Sequence, residues 1–148
     1  MTTTNNEIIR VENLVKNFPD LQILKGISFS VHKGEVLGII GPSGSGKSTL
    51  LKCLSQLTPI DGGSVSICGK DLIKDGVYAP KDQLKKIGLD IGLVFQNFNL
   101  FPHFSVMRNI TEAQRIVLGK SKEESEAVAV ELLRKMGLES KASSYPCE

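Results

Sequence analysis

Apolar and polar positions alternate along the first third of the chain in a way that predicts β-structure. A strand begins near Ile8, and apolar residues at every second position from Ile27 to Val31 predict another. Two short apolar runs, Val36–Ile40 and Ile91–Phe95, do not alternate with polar residues. Such runs are typical of strands that are buried on both faces, as in a parallel sheet.

Helical periodicity follows the first of these runs and returns in the last third of the chain. Leucines at helical spacing predict a helix from Thr49 to Leu57, and a one-sided apolar face predicts another from Val106 to Leu118. Ser121 and Glu124 have the spacing of a capping box, which predicts the start of a helix that Gly137 ends.

The middle of the chain has weaker signals. The alternation from Ser64 to Cys68 predicts one half-buried strand before Gly69. Residues 71–86 are polar and have no dominant period, so we expect surface loops and short turns there.

Composition narrows the class of protein. The chain has 148 residues, enough for one domain with a sizeable core, and its net charge of +2 is too small to predict binding to nucleic acid. It has no apolar run long enough to cross a bilayer, and its N-terminal residues lack the pattern of a signal peptide. Three widely spaced cysteines fit free thiols, so we expect a cytoplasmic location.

One glycine-rich stretch carries most of the chemical information. It fits the phosphate-loop pattern G-x-x-x-x-G-K-[ST] and lies between a predicted strand and a predicted helix. Glycines allow backbone N–H groups to turn inward around an anion, the lysine can reach the β- and γ-phosphates, and the first hydroxyl suits Mg²⁺. The predicted nucleotide-binding residues are Gly41, Pro42, Ser43, Gly44, Ser45, Gly46, Lys47, Ser48 and Thr49.

Beyond this loop, four further features resemble the ATP-binding subunits of ABC transporters. Phe18 precedes Lys47 by about the interval of the aromatic residue that stacks on adenine in these subunits. Val94-Phe95-Gln96 is similar to the strand end that carries the family's Q-loop glutamine. The segment from Asn97 to His103 resembles the version in importers of polar amino acids, and Ser144-Tyr145-Pro146 resembles the lead-in to the signature motif.

The resemblance implies an α/β fold with the P-loop NTPase core of ABC ATPases. It implies an N-terminal antiparallel β subdomain with the P-loop helix in residues 7–70, a Q-loop strand in 71–97 and part of a helical subdomain in 98–148. The resemblance also implies that relatives continue past Glu148, so we expect the N-terminal part of a longer subunit, with a sheet that is incomplete on its C-terminal side.

The resemblance also implies ligands and partners. ATP and Mg²⁺ are the expected cofactors, with Phe18 on the base and with Ser48 and Gln96 on the metal. Membrane permease subunits are expected to dock near Phe98–Phe104, a second copy of the ATPase subunit is expected as a partner, and the location is the cytoplasmic face of the membrane. Because the signature motif, the acidic strand end and the switch histidine lie beyond the matching region, we expect little ATP turnover from these residues alone.

Two other classes of protein share this loop. A nucleotide-binding module without catalysis would bind ATP but release no phosphate. A GTPase would need an N-K-x-D segment, which the sequence lacks, and a small-molecule kinase is expected to have an arginine-rich lid, whereas Arg108, Arg115 and Arg134 are scattered.

Overall fold

The computed structural model describes residues 6–148, so the N-terminal residues in which a signal peptide was judged absent lie outside the described part. In those residues it contains five strands, four α-helices and one 3₁₀ helix. None of the helices in the described residues has the length and hydrophobicity needed to cross a bilayer. The elements are β1 (Glu7–Phe18), β2 (Leu21–His32), α1 (Lys47–Leu54), β3 (Gly62–Ile67), β4 (Lys70–Lys74), β5 (Val77–Tyr78), α2 (Lys81–Leu89), α3 (Val106–Ile116), α4 (Lys122–Met136) and the 3₁₀ helix Glu139–Lys141.

The contacts divide the chain into two compact units. The first unit ends at Leu93, and the second runs from Val94 to Glu148. The first contains the sheet, α1 and α2, and the second contains α3, α4 and the 3₁₀ helix.

The sheet of the first unit has the strand order β2-β1-β3-β4-β5, and every neighbouring pair is antiparallel. The long β1–β2 hairpin closes at the pair Phe18 and Leu21, because Pro19 and Asp20 supply a tight turn. The predicted strands, one beginning near Ile8 and one over Ile27–Val31, are confirmed by β1 and β2.

The core of the first unit lies between the sheet and the helices α1 and α2. On β3 the alternate residues Val65 and Ile67 are buried on this side, and on β1 Val11 and Leu14 are buried on either side of a register shift. The buried residues from the strands are joined by apolar side chains of both helices and the loop after α1. The core cluster contains Val11, Leu14, Leu24, Leu50, Cys53, Ile60, Val65, Ile67, Leu72, Ile73 and Ile87.

Neither of the two predicted buried strands forms. Val36–Ile40 and Ile91–Phe95 have no strand conformation and pair with no strand in the described residues. The side chains of Val36 and Ile40 are each 94% exposed, and that of Val94 is 81% exposed. Both runs are apolar, but a parallel strand also requires hydrogen-bonded neighbours, which a local sequence pattern cannot supply.

The prediction of loops and turns over residues 71–86 was also wrong. The segment contains most of β4, all of β5 and the first part of α2. Leu72 and Ile73 are both buried although they are adjacent, because the β3–β4 register shifts next to the Val65–Ile73 pair. Hairpin pairing with β3, across the turn at Cys68 and Gly69, therefore makes a strand where periodicity gave no signal.

The second unit packs α3 against α4. Both helices begin at a serine whose hydroxyl oxygen accepts the backbone N–H of the residue three positions later. Ser105 accepts from Arg108, and Ser121 accepts from Glu124. The Glu124 carboxylate accepts the backbone N–H of Ser121 in return, which completes the predicted capping box. Gly137 ends α4 in the left-handed conformation with φ 68°, also as predicted.

The capping box gives a stability prediction for the second unit. Ser121→Ala removes the side-chain acceptor and should lower the free energy of unfolding by about 1 kcal/mol. Ser121→Asp, which keeps an acceptor, is the matched control and should retain most of the stability. Urea denaturation followed by circular dichroism at 222 nm would measure both, and equal loss in the two variants would contradict a capping role.

Candidate functional site

The glycine-rich loop leads directly into α1, whose N-cap is Gly46. Gly46 has φ 94°, a conformation that side chains with a Cβ rarely adopt. A Cβ at this position would lie 2.8 Å from Cγ2 of Ile23 and 3.0 Å from Cδ2 of Leu24. Glycine is therefore favoured here by its backbone conformation and also by its close packing against two side chains of β2.

The lysine of the motif folds back into its own loop. Nζ of Lys47 donates hydrogen bonds to the carbonyl oxygens of Gly41 and Pro42, each at 2.7 Å, and lies 3.4 Å from Oγ of Ser45. Pro42 also accepts the backbone N–H of Ser45 at 3.3 Å, which closes a turn. The loop thus curls around the ammonium group, and one positive charge sits at its centre.

The N-terminus of α1 suits an anion. The first amides of a helix have no partner inside the helix, and the helix dipole makes this end positive. In α1 the N-cap glycine supplies no side-chain acceptor, and the first turn contains no acidic residue. Ser48 is exposed in this turn, followed by the partly buried Thr49. Main-chain amides, a lysine and a hydroxyl are the donor set that a magnesium triphosphate needs, so the residues present fit that group.

The rest of the motif is open to solvent. The side chains of the stretch from Gly41 to Ser45, which includes Ser43 and Gly44, are exposed. The structure therefore brings all nine residues of the predicted loop, from Gly41 to Thr49, into one continuous surface at the end of α1.

A hollow of about 500 Å³ lies beside the loop in the first unit. Its walls are mostly apolar and come from β2, from the extended segment before the loop and from Leu50 of α1. Lys47 is the charged residue in its lining. The unpaired apolar run before the loop therefore forms one wall of this hollow rather than an inner strand of a sheet.

The predicted base-stacking residue, Phe18, lies at the last position of β1, and its side chain is 46% exposed. The ammonium group of Lys16 lies 5.4 Å from the centroid of the Phe18 ring. The paired strand β2 carries Ile23 and Leu24, which approach Gly46. Phe18 pairs with Leu21, two to three residues before Ile23 and Leu24. At about 3.4 Å per residue, Phe18 therefore lies about 7–10 Å along the strand from the N-terminus of α1.

Gln96, the predicted Q-loop residue, belongs to the second unit. It is exposed in a turn that directly follows Phe95. Phe98 and Asn99, in the same turn, have left-handed φ angles of 59° and 50°. Backbone of this kind costs energy in residues other than glycine, although asparagine tolerates it better than most.

An aromatic cluster follows this turn in the second unit. The ring of Phe104 lies 5.0 Å from that of Phe101 and 4.5 Å from that of His103, and the guanidinium carbon of Arg108 lies 3.7 Å from its centroid. Phe98 and Phe101 are 73% and 53% exposed. The predicted docking segment, Phe98–Phe104, is thus an ordered surface with exposed rings.

Asn109 on α3 holds this segment in place. Its Oδ1 accepts the backbone N–H of Phe101 at 2.8 Å, and its Nδ2 lies within 3.1 Å of the carbonyl oxygens of Phe101, Phe104 and Ser105. A single side chain therefore satisfies several backbone groups of a loop that has no regular secondary structure.

Comparison with known proteins assigns the family. The family profile described as "ABC transporter" matches residues 24–146, which include the whole glycine-rich loop, the turn with Gln96 and both helices of the second unit. The chain belongs to the ABC transporter family.

Several curated members of the ABC family are similar over nearly the whole chain. The probable amino-acid ABC transporter ATP-binding protein y4tH of Sinorhizobium fredii is 42% identical and aligns with 97% of this chain and 58% of its own length. The arginine transport ATP-binding protein ArtM of Bacillus subtilis is 44% identical and aligns with 94% of this chain and 56% of its own length. The glutamine transport ATP-binding protein GlnQ of Escherichia coli is also 44% identical and aligns with 95% of this chain and 57% of its own length. The chain thus spans little more than half the length of these relatives.

Solved ABC structures agree with the fold. An ATP-binding cassette in a dimeric post-hydrolysis state, bound to ADP and Pi, has a TM-score of 0.75 and 31% identity, over 95% of this chain and 62% of its own. A nucleotide-free cassette from an ABC transporter has a TM-score of 0.73 and 30% identity, over 96% and 58%. The predicted α/β fold of the ABC ATPase type is therefore confirmed.

Two side-chain clusters near the predicted residues had no signal in the sequence. Asn109 lies eight residues after Phe101, and Lys16 forms an ion pair with Asp61, 45 residues away. Neither spacing matches a local motif. A lysine at an inward-facing position of β1 was the one available hint, since lysine is seldom buried without a partner.

The role of Asn109 can be tested by hydrogen exchange. Asn109→Ala should deprotect the amide of Phe101 and destabilise the second unit by about 1–3 kcal/mol, because it leaves several backbone groups without a partner. Gln114→Ala is the matched control: Gln114 is a side-chain amide on the same helix that bonds to Ile110 and Lys120 instead. Unchanged hydrogen exchange at the Phe101 amide in the Asn109 variant would show that the loop keeps its structure without the Asn109 side chain.

Proposed function

We propose that this chain is the nucleotide-binding part of an ATP-binding, energy-coupling subunit of an ABC importer for polar amino acids. The observation that supports it most is the loop at α1, which combines a left-handed Gly46, an uncapped helix N-terminus and the Lys47 ammonium in one place. The names of the relatives, which are ATP-binding proteins for amino-acid transport, support the class of substrate.

In this proposal the loop binds the phosphates of ATP. The amides of the loop and of the first helical turn donate to phosphate oxygens, and Lys47 exchanges its two loop carbonyls for the β- and γ-phosphates. That exchange replaces neutral acceptors with charged ones, which form stronger hydrogen bonds.

The remaining predicted residues complete the binding site. Phe18 stacks on the adenine, and Ser48 and Gln96 hold Mg²⁺ through their side-chain oxygens. Bound ATP supplies a phosphoanhydride bond whose cleavage releases free energy, and Mg²⁺ offsets the negative charge of its phosphates. The division into residues 7–70, 71–97 and 98–148 is part of the same proposal.

The proposed partners are membrane permease subunits at the cytoplasmic face, which dock on Phe98–Phe104, and a second ATP-binding subunit. Exposed aromatic rings beside an arginine are the composition found at protein interfaces. The geometry that Asn109 imposes on the docking segment supports this, because a preorganised surface loses less entropy on binding.

The phosphate site is tested by Lys47→Ala. We expect loss of ATP–Mg²⁺ binding in isothermal titration with an unchanged circular dichroism spectrum, because this ammonium serves the loop rather than the core. Lys52→Ala is the matched control, a lysine in the last turn of the same helix. Equal ATP affinity in the Lys47 variant and the unmodified chain would refute the site. Phosphate release measured on the same samples separates an ATPase from a module that only binds nucleotide.

The base site is tested by Phe18→Ala. If the ring stacks on adenine, its loss should weaken ATP binding by about 1–2 kcal/mol, roughly 5- to 30-fold. Titration with ATP and with inorganic tripolyphosphate would isolate the contribution of the base. A ring that is only part of the local packing would leave the ratio of the two affinities unchanged.

A further inference from the structure

Lys16 is a lysine of β1 whose side chain is only 8% exposed. Its Nζ forms an ion pair with Oδ1 of Asp61 at 3.0 Å. The second carboxylate oxygen of Asp61 accepts the backbone N–H of Asn17 at 2.6 Å. One carboxylate thus holds two consecutive residues of β1, directly before Phe18.

Asp61 is itself fixed in place. It lies on the connection between α1 and β3, and its backbone N–H donates to the carbonyl oxygen of Val15 at 3.0 Å. The hydrogen bond from Asn17, and with it the bond from Lys16, lowers the pKa of the Asp61 carboxyl below its usual value. The carboxylate is therefore charged at neutral pH and anchors the end of β1 to the chain that leaves α1.

The same lysine reaches the ring of Phe18. Its ammonium lies 5.4 Å from the ring centroid, which is within the range of cation–π attraction. Phe18 itself is 46% exposed and lies at the turn end of the hairpin, paired with Leu21. The contact with Lys16 is therefore one restraint on the position of a half-exposed ring.

Stability alone gives little reason for such a pair. Removing a lysine from water costs several kcal/mol, and a pair of apolar residues of similar volume is often as stable or more so. The pair lies near Cys53, a buried core residue whose burial raises the pKa of its thiol, so one side of the pair is shielded from water. What an ion pair adds, and an apolar pair does not, is a defined geometry.

We propose that the Lys16–Asp61 ion pair is a positioning device that holds the Phe18 ring ready to stack on the base of a nucleotide. Lys16 and Asp61 are positioning residues, which act through Phe18 and not on the phosphates. This inference rests on the proposed function, because it requires that Phe18 contact the base.

Lys16→Met tests the proposal, because methionine fills a similar volume without a charge. Titration in the presence of Mg²⁺ would compare the affinities for ATP and for inorganic tripolyphosphate, which has no base. We expect ATP affinity to fall about two- to tenfold, the range for immobilising one side chain on binding, with tripolyphosphate affinity unchanged. In the double variant with Phe18→Ala, Lys16→Met should cause no further loss.

Lys70→Met is the matched control. Lys70 forms an ion pair with Asp90 at 2.6 Å in the same unit, and neither residue contacts Phe18. This variant should keep the affinities of the unmodified chain for both ligands.

The outcomes separate the inference from the function on which it rests. If the unmodified chain binds ATP no better than tripolyphosphate, or if Phe18→Ala loses nothing, base stacking fails and the inference fails with it. If stacking holds but Lys16→Met keeps full ATP affinity, or loses affinity for both ligands equally, the inference alone is overturned.

A second measurement covers the case in which Lys16→Met does not fold. The double variant Lys16→Met with Asp61→Asn removes both charges, so no buried charge is left unpaired. The chain has no tryptophan, so Phe18→Trp places a single fluorescent reporter at the ring position. This tryptophan is introduced both into the double variant and into the otherwise unmodified chain. We expect its fluorescence anisotropy to be lower in the double variant, because the ring is then less restrained, and equal anisotropy would overturn the proposal.

Discussion

The close contact between the N-terminus of α1 and strand β2 is the constraint on which the first unit depends. The backbone at Gly46 lies so close to the side chains of Ile23 and Leu24 that an added Cβ would force them to shift. This contact allows α1 to place Leu50 and Cys53 in the core beneath the sheet, and it leaves the first turn of the helix open to solvent. The same few atoms therefore serve both the hydrophobic core and the anion-binding end of the helix.

Two lysines of the first unit are held in place by defined partners. Lys47 is surrounded by carbonyl oxygens of its own loop, and Lys16 by the carboxylate of Asp61. Both lysines have defined partners, as the cost of desolvating an ammonium group requires. Lys47 lies at the proposed phosphate site, and Lys16 lies beside Phe18 at the proposed base site. In the proposed function, each end of the nucleotide therefore has an oriented ammonium group nearby.

The second unit uses hydrogen bonds to the backbone for the same purpose. Asn109 orders a loop with exposed aromatic rings, and the capping box of Ser121 with Glu124 defines where α4 begins. In the proposed docking role, a segment that is ordered before it meets its partner loses less entropy on binding.

The sequence by itself determined the features that are encoded locally. The glycine-rich motif, the capping box and Gly137 each require particular residues at fixed spacings, so their positions could be predicted closely. Only the tertiary structure decided which apolar runs are buried: Val36–Ile40 has the composition of an inner strand but lies at the wall of a hollow, because a strand needs neighbours that no local pattern specifies. The same holds for the Lys16–Asp61 pair, since it joins residues that are 45 positions apart in the chain.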